Sequence, residues 1–200
     1  TSSVPFDFSG AEASRTTYIV GRAVADAAQK IKNLFEEKKV KLIDLAGSSV
    51  IGEFEPLDND PLPVIGAHFC EVEIDEISGM VYVKRYVAAQ DVGRVINLSG
   101  CMGQIEGGIH HGLGYALCEE LLYDSGFPIN PNFMGYKVLM ASDMPEIEVV
   151  LIEDSDPDGG PFGAKGVGTP VMPAVAPAVA NAIADAVGER FFELPITPYK

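Results

Sequence analysis

The stretch Met102–Leu122 has the apolar spacing of a helix, yet Gly103, Gly107, Gly108, Gly112 and Gly114 all fall inside it. Each interior glycine costs a helix about 1 kcal/mol relative to alanine. A glycine is kept at such a position where a side chain would be in the way. Either another backbone or a ligand must therefore approach this helix closely, and the rest of the chain has to supply a fold in which that approach happens.

The flanking segments suggest how. After Gly10, apolar residues recur at Ile19, Val20, Ala23, Val24, Ala27, Ala28, Ile31, Leu34 and Phe35, with Lys and Glu between them, which predicts an amphipathic first helix. Short β-branched runs follow in "KLIDLAGSSVI", "AHFCEVEID" and "MVYVKRYVAAQDV". The last two are joined by Glu76-Ile77-Ser78-Gly79 and predict a hairpin. Beyond the glycine-rich helix come a loop at "INPNFMGYK", a strand at "EIEVVLIE" and a turn at "DSDPDGGP". The third helix is expected in "PVMPAVAPAVANAIADAV", with Pro170 and Pro173 in its first turn, where a missing N–H costs little. Hairpins mixed with packed helices predict an α+β fold in two layers with a mixed sheet. No internal repeat or low-complexity linker divides the chain, so residues 1–200 are expected to form one domain.

Charge narrows the partners. A formal net charge of -15 and a pI near 4.4 argue against nucleic acid and against anionic membranes, since phosphate contacts need clustered Lys and Arg. Cys70, Cys101 and Cys118 lack the close spacing of zinc, iron–sulfur or redox motifs and are expected as reduced, mostly buried thiols. There is no basic-then-apolar leader and no run of about 18 apolar residues, which predicts neither secretion nor membrane spanning and points to the cytoplasm. The chain opens at "TSSVPFDFSG" without an initiator Met, as a fragment or one polypeptide of a larger assembly would.

Several stretches could carry chemistry. The glycines from Gly159 to Gly168 surround Lys165 just before a helix, where free N–H groups, the helix dipole and the ammonium would favour an anion; a glycine-rich connection shaped by packing alone is equally expected. It is not a Walker loop, whose Lys directly follows its last Gly. In "AEASRTTY", Ser14, Arg15, Thr16 and Thr17 could bind a phosphate, but ordinary N-capping is the commoner role for hydroxyls there. Gln104 offers an amide to a polar heterocycle. His110 and His111 are adjacent, point apart on a helix and make a poor metal chelate. His68 is expected to be a packing or surface residue of its strand. Asp154, Asp156 and Asp158 fail as a calcium loop, because Pro157 and a glycine pair intervene and Lys165 stands at the twelfth position; a solvated acidic turn is expected. No metal-ligand set and no nucleophile with a neighbouring base is identifiable.

Taken in order, "VAAQDVGRVIN", "GQIEGGIHHGLGYAL", "NPNFMGYKVLMASDMPEIEV", "GAKGVG" and "PAVAPAVANAIADAVGERFFELPIT" closely resemble the C-terminal part of the molybdenum-binding subunit of the xanthine dehydrogenase/aldehyde oxidase family. The resemblance covers essentially the whole chain. It implies a molybdenum hydroxylase, an oxidoreductase that acts on an N-heterocycle or an aldehyde with oxygen from water. It also implies a molybdopterin cofactor, possibly as a cytosine dinucleotide, and electrons that leave through Fe–S clusters and FAD on other domains or subunits. Residue by residue, it places the pterin phosphate region at Ala13, Ser14, Arg15 and Thr16, a cofactor-facing amide at Gln104, and the loop beneath the metal at Lys165 and Gly166.

Two departures qualify what is implied. The family's loop reads "GAKGVGE", its glutamate serving as general base, whereas this chain has Thr169, whose hydroxyl titrates far too high to accept a proton near neutrality. The family's upstream "FGGK"-like and "MGQG"-like loops do not occur, so a partner chain carrying that half of the cofactor cage is expected. A non-catalytic cofactor-binding or assembly subunit is the alternative that Thr169 favours.

Overall fold

The computed structural model describes residues 10–38, 41–54 and 63–200. The fold is α+β, and the chain forms two compact units. The first takes the chain up to Pro63 together with Val92–Val95 and Glu153–Gly166; the second takes Val64–Asp91, Ile96–Ile152 and Val167–Lys200.

In the first unit, α1 (Gly21–Lys38) continues from a wider helical turn over Thr16–Val20. The predicted amphipathic helix is present, but its apolar stripe is incompletely covered: Val24 is 62% exposed and Val20, Ile31 and Phe35 are exposed too. The strand expected in "KLIDLAGSSVI" is absent. Leu42–Leu45 makes one 3-10 turn instead, closed where Asp44 Oδ2 accepts the Lys41 N–H at 2.9 Å. The chain then runs along α1 as a strap. Lys30 Nζ donates to the Ile51 carbonyl at 3.0 Å, and the Glu53 N–H donates to Asp26 at 2.9 Å. A Cβ on Gly52 would stand 1.9 Å from the Ala23 carbonyl oxygen, so backbone lies directly on backbone there. The strap's backbone meets a helix rather than a sheet edge while Ile43 and Ile51 stay exposed, which is why propensity alone misplaces this run.

The second unit holds the sheet. β1 (Gly66–Ile74) and β2 (Val81–Asp91) pair antiparallel as the predicted hairpin, and β5 (Glu146–Ile152) pairs parallel to β2 from Arg85↔Glu146 to Asp91↔Ile152. The order is β1-β2-β5, a mixed sheet. A two-residue pair, β3 (Tyr123–Asp124) and β4 (Phe127–Pro128), forms a separate small hairpin. The inner sheet face is covered by α2 (Leu98–Leu117) and α3 (Gly168–Val187). Tyr86, Ala88, Ile105, Ile109, Leu113, Val171, Val175, Val179 and Ile183 make the core, each at most 2% exposed.

Both helix boundaries differ from expectation for local reasons. Asn97 caps α2 by accepting the Gly100 N–H at 2.9 Å, so the helix starts before Met102. It ends at Leu117 because the Gly114 carbonyl accepts from both Cys118 and Glu119. α3 begins at Gly168, which puts Pro173 beyond the first turn and Pro177 deeper still. A proline cannot donate to the residue four before it, so the Thr169 and Pro173 carbonyls lack that helical partner. By length and hydropathy alone α3 would suffice to cross a bilayer, but Val171, Val175 and Val179 are fully buried in the protein core.

The glycine question of α2 has a divided answer. A Cβ on Gly112 would lie 2.4 Å from Val175 Cβ, and one on Gly108 would lie 3.0 Å from Val171 Cβ, so these two glycines let α3 approach. A Cβ on Gly103 or Gly107 would meet nothing within 4 Å. Their bareness is not explained by packing.

Candidate functional site

In the first unit, the loop from Asp156 to Lys165 is built from backbone bonds. The Gly163 carbonyl accepts from Arg94 and Asp156, both at 3.1 Å; Gly160 donates to Ala164 at 2.8 Å and Lys165 donates to Val92 at 3.0 Å. A Cβ on Gly93 would sit 2.2 Å from the Gly163 carbonyl oxygen, and one on Gly159 would sit 2.9 Å from that of Ala164. For these glycines close packing is sufficient explanation. Lys165 is buried, only 8% exposed, rather than offered to solvent as a point charge. Asp156 corrects the expectation of a solvated acidic turn. It is 4% exposed, and its Oδ1 accepts the Asp158 N–H at 3.0 Å, so one carboxylate of the three shapes the loop while Asp154 and Asp158 stay exposed.

The 13–16 segment meets the end of that loop: the Ala13 carbonyl oxygen is 3.8 Å from where a Gly166 Cβ would be. Ala13 and Ser14 both have positive φ, 51° and 60°. For non-glycine residues this left-handed conformation costs about 1–2 kcal/mol each, so the surrounding contacts must hold it. Ser14 and Arg15 are half-buried and Thr16 is exposed. No side-chain bond caps the Thr16–Val20 turn, so capping does not explain Arg15 at its start. Tyr18 reaches across to donate to the Asp158 carbonyl at 3.3 Å; burial, reinforced by Asp156, pushes its phenol up.

In the second unit, the bare face of α2 and the start of α3 enclose an open cavity of about 410 Å³. Gly103, Gln104, Gly107, Gly108 and His111 line it from α2, with Gly168, Thr169 and Met172 from α3. Gly168 leaves room for the Gln104 amide, since a Cβ there would be 2.5 Å from Gln104 Oε1. Gln104 and Thr169, far apart in sequence, thus share one pocket. Sequence reasoning missed His111, whose signal was its place on one helical stripe with Gln104 and Gly108 at i, i+4 and i+7. The adjacent histidines have separate roles. His110 Nε2 is bonded to the Leu139 carbonyl at 2.9 Å, while His111 is exposed to the cavity.

A second polar group lies under the sheet. His68 Nδ1 bonds Tyr86 OH at 2.9 Å, so His68 is tied into the core rather than being a plain packing residue. Among the described residues, His68 Nε2 and both ends of the Gln90 amide have no hydrogen-bond partner. Burial pushes the His68 imidazole down, partly offset by the nearby Gln90 amide, and pushes Tyr86 up and the Cys70 thiol up to about 12. Cys70, Cys101 and Cys118 form no disulfide and are half-buried rather than mostly buried. Among the described residues no group of three or more His, Cys, Asp or Glu is placed to hold a metal.

The cavity fits a flat polar cofactor on one physical ground: two successive turns of α2 present backbone with open space in front of Gly103 and Gly107, beside the Gln104 amide. A family model for the molybdopterin cofactor-binding domain matches residues 53–145. The aldehyde oxidoreductase molybdenum-binding subunit of Escherichia coli is 39% identical over 65% of this chain and 18% of its own length. The xanthine dehydrogenase molybdenum-binding subunit of Escherichia coli is 29% identical over 97% of this chain and 31% of its own. Among solved structures, quinoline 2-oxidoreductase from Pseudomonas putida superposes with a TM-score of 0.63 at 33% identity, over 67% of this chain and 17% of that one. The chain spans less than a third of the length of these relatives. Motif order, fold and pocket lead to one assignment: the chain belongs to the molybdopterin cofactor-binding domain family of xanthine dehydrogenase and aldehyde oxidoreductase molybdenum-binding subunits.

Proposed function

We propose that the chain supplies part of the molybdopterin site of a molybdenum hydroxylase that hydroxylates an N-heterocycle or oxidises an aldehyde with oxygen from water. The observation that carries this reading is the cavity in which Gln104 and Thr169 meet across a glycine-bare face of α2. The names of the relatives, an aldehyde oxidoreductase, a xanthine dehydrogenase and a quinoline oxidoreductase, bracket the two substrate classes.

In the second unit, the Gln104 amide would orient the cofactor by hydrogen bonding, and the absent side chains at Gly103 and Gly107 would let a planar ring lie close to the helix. In the first unit, Ala13, Ser14, Arg15 and Thr16 would bind an anionic phosphate through amides, hydroxyls and the guanidinium, and Lys165 and Gly166 would shape the neighbouring loop. When bound, the cofactor supplies a two-electron acceptor. We further propose a cytosine dinucleotide form, Fe–S and FAD carriers on partner subunits, a partner chain with the upstream half of the cage, and a cytoplasmic location. Thr169 favours a second reading, a subunit that holds the cofactor without turnover.

Co-expression with the genomic neighbours, followed by purification and metal analysis, tests the first reading. Stoichiometric molybdenum in the complex, and none retained by the chain alone, is the expected result. A well-folded complex without molybdenum would sink it. Molybdenum with no turnover across a panel of aldehydes and heterocycles would select the non-catalytic reading.

A further inference from the structure

Resting on the hydroxylase reading above, we infer that His111 is the proton acceptor of the Gln104–Thr169 pocket. Hydroxylation with water balances as R–H plus water giving R–OH, two protons and two electrons. The two electrons would be taken up by the cofactor when it is bound. The protons need an acceptor within the pocket, and a group that titrates near neutrality accepts them best.

Among the described residues of this chain that line the cavity, one has a side chain suited to take up a proton. Apart from His111 the lining consists of glycines, Gln104, Thr169 and Met172, none of which can take a proton near neutral pH. The α3 segment that faces it carries no ionisable residue from Gly168 through Ala184. On α2 the titratable neighbours of His111 are Glu106, His110 and Tyr115, and none of these lines the cavity. His110 is already bonded to the Leu139 carbonyl. Among the described residues the His111 ring makes no hydrogen bond, so a ring nitrogen facing the cavity is available to accept a proton. Its position one further turn along the Gln104–Gly108 stripe sets it beside the space that Gly107 leaves clear.

The test uses the molybdenum-loaded complex and compares wild type with His111→Gln and, as a control outside the pocket, His110→Gln. Melting temperature and molybdenum content establish that the variants are folded and loaded. In wild type, kcat/KM should rise with pH along a single limb. His111→Gln should lose that limb and about 10²–10⁴-fold in rate, while His110→Gln keeps both. The double variant His111→Gln/Thr169→Glu should recover rate, with the limb moved toward the carboxylate range. A readout independent of turnover is labelling by diethyl pyrocarbonate mapped by mass spectrometry: His111 should react in the cofactor-free complex and be protected in the loaded one. If His111→Gln in a molybdenum-loaded complex keeps the wild-type rate and limb, or if labelling ignores the cofactor, the inference is overturned and the hydroxylase reading stands. If the wild-type complex takes up no molybdenum, both fall together.

Discussion

The two units of this chain are held together by different physics. The second has an apolar core in which ten of the described side chains, from one strand and two helices, are at most 2% exposed. The first is organised by polar and main-chain contacts: the strap hydrogen-bonded to α1, the Gly163 carbonyl with two donors, the buried Asp156 and Lys165, and left-handed Ala13 and Ser14. A region built from burial resists change everywhere in its interior. A region built from a few directed bonds depends on each of them.

That contrast can be broken most forcefully in the apolar unit. Ile109→Ala empties a fully buried site between the helices and the sheet, and should cost about 2–5 kcal/mol in urea unfolding. Gly112→Ala puts a methyl 2.4 Å from Val175 Cβ and should cost about 1–3 kcal/mol. Adding Val175→Ala should return part of that loss, whereas additive losses would show that helix contact is not what Gly112 provides. In the polar unit, Asp156→Ala removes the acceptor of the Asp158 N–H and should cost about 1–3 kcal/mol. Its signature should be faster amide exchange confined to residues 156–165, with the Ile109 region unaffected.

The smallest effect is a pH dependence inside the core. Burial holds the His68 imidazole below its ordinary value, so the unfolded chain binds a proton more readily than the folded one. The stabilising contribution of neutral His68 is complete above the unfolded-state value and declines as pH falls through it toward the lowered folded value. His68→Phe should flatten that part of the stability profile. An unchanged slope would assign it to other groups.

The same contrast explains what was legible in the sequence. The hairpin, the strand at Glu146–Ile152 and α3 announce themselves by alternation or helical spacing, because a core imposes its period on the residues that fill it. The strap at 46–54 did not, since its partner is a helix backbone and its bonds come from Asp26 and Lys30, some twenty residues earlier. Burial of Asp156 was likewise hidden, as nothing in "DSDPDGGP" distinguishes the carboxylate that turns inward. Gln104 and Thr169 were each singled out by motif, but only the α2–α3 contact through Gly108 and Gly112 puts them in one pocket. His111 was passed over because adjacency to His110 was weighed and its stripe with Gln104 was not.

The central claim is that the bare α2 face in front of Gly103 and Gly107 is kept clear for a cofactor. Gly107→Leu tests it most directly, because a Cβ there meets nothing within 4 Å among the described residues beyond its own helix and the position lines the cavity. Molybdenum is to be measured in the purified complex alongside its subunit composition and melting temperature. The account predicts unchanged subunits and melting with molybdenum lost or sharply reduced. Full molybdenum occupancy in Gly107→Leu would contradict it.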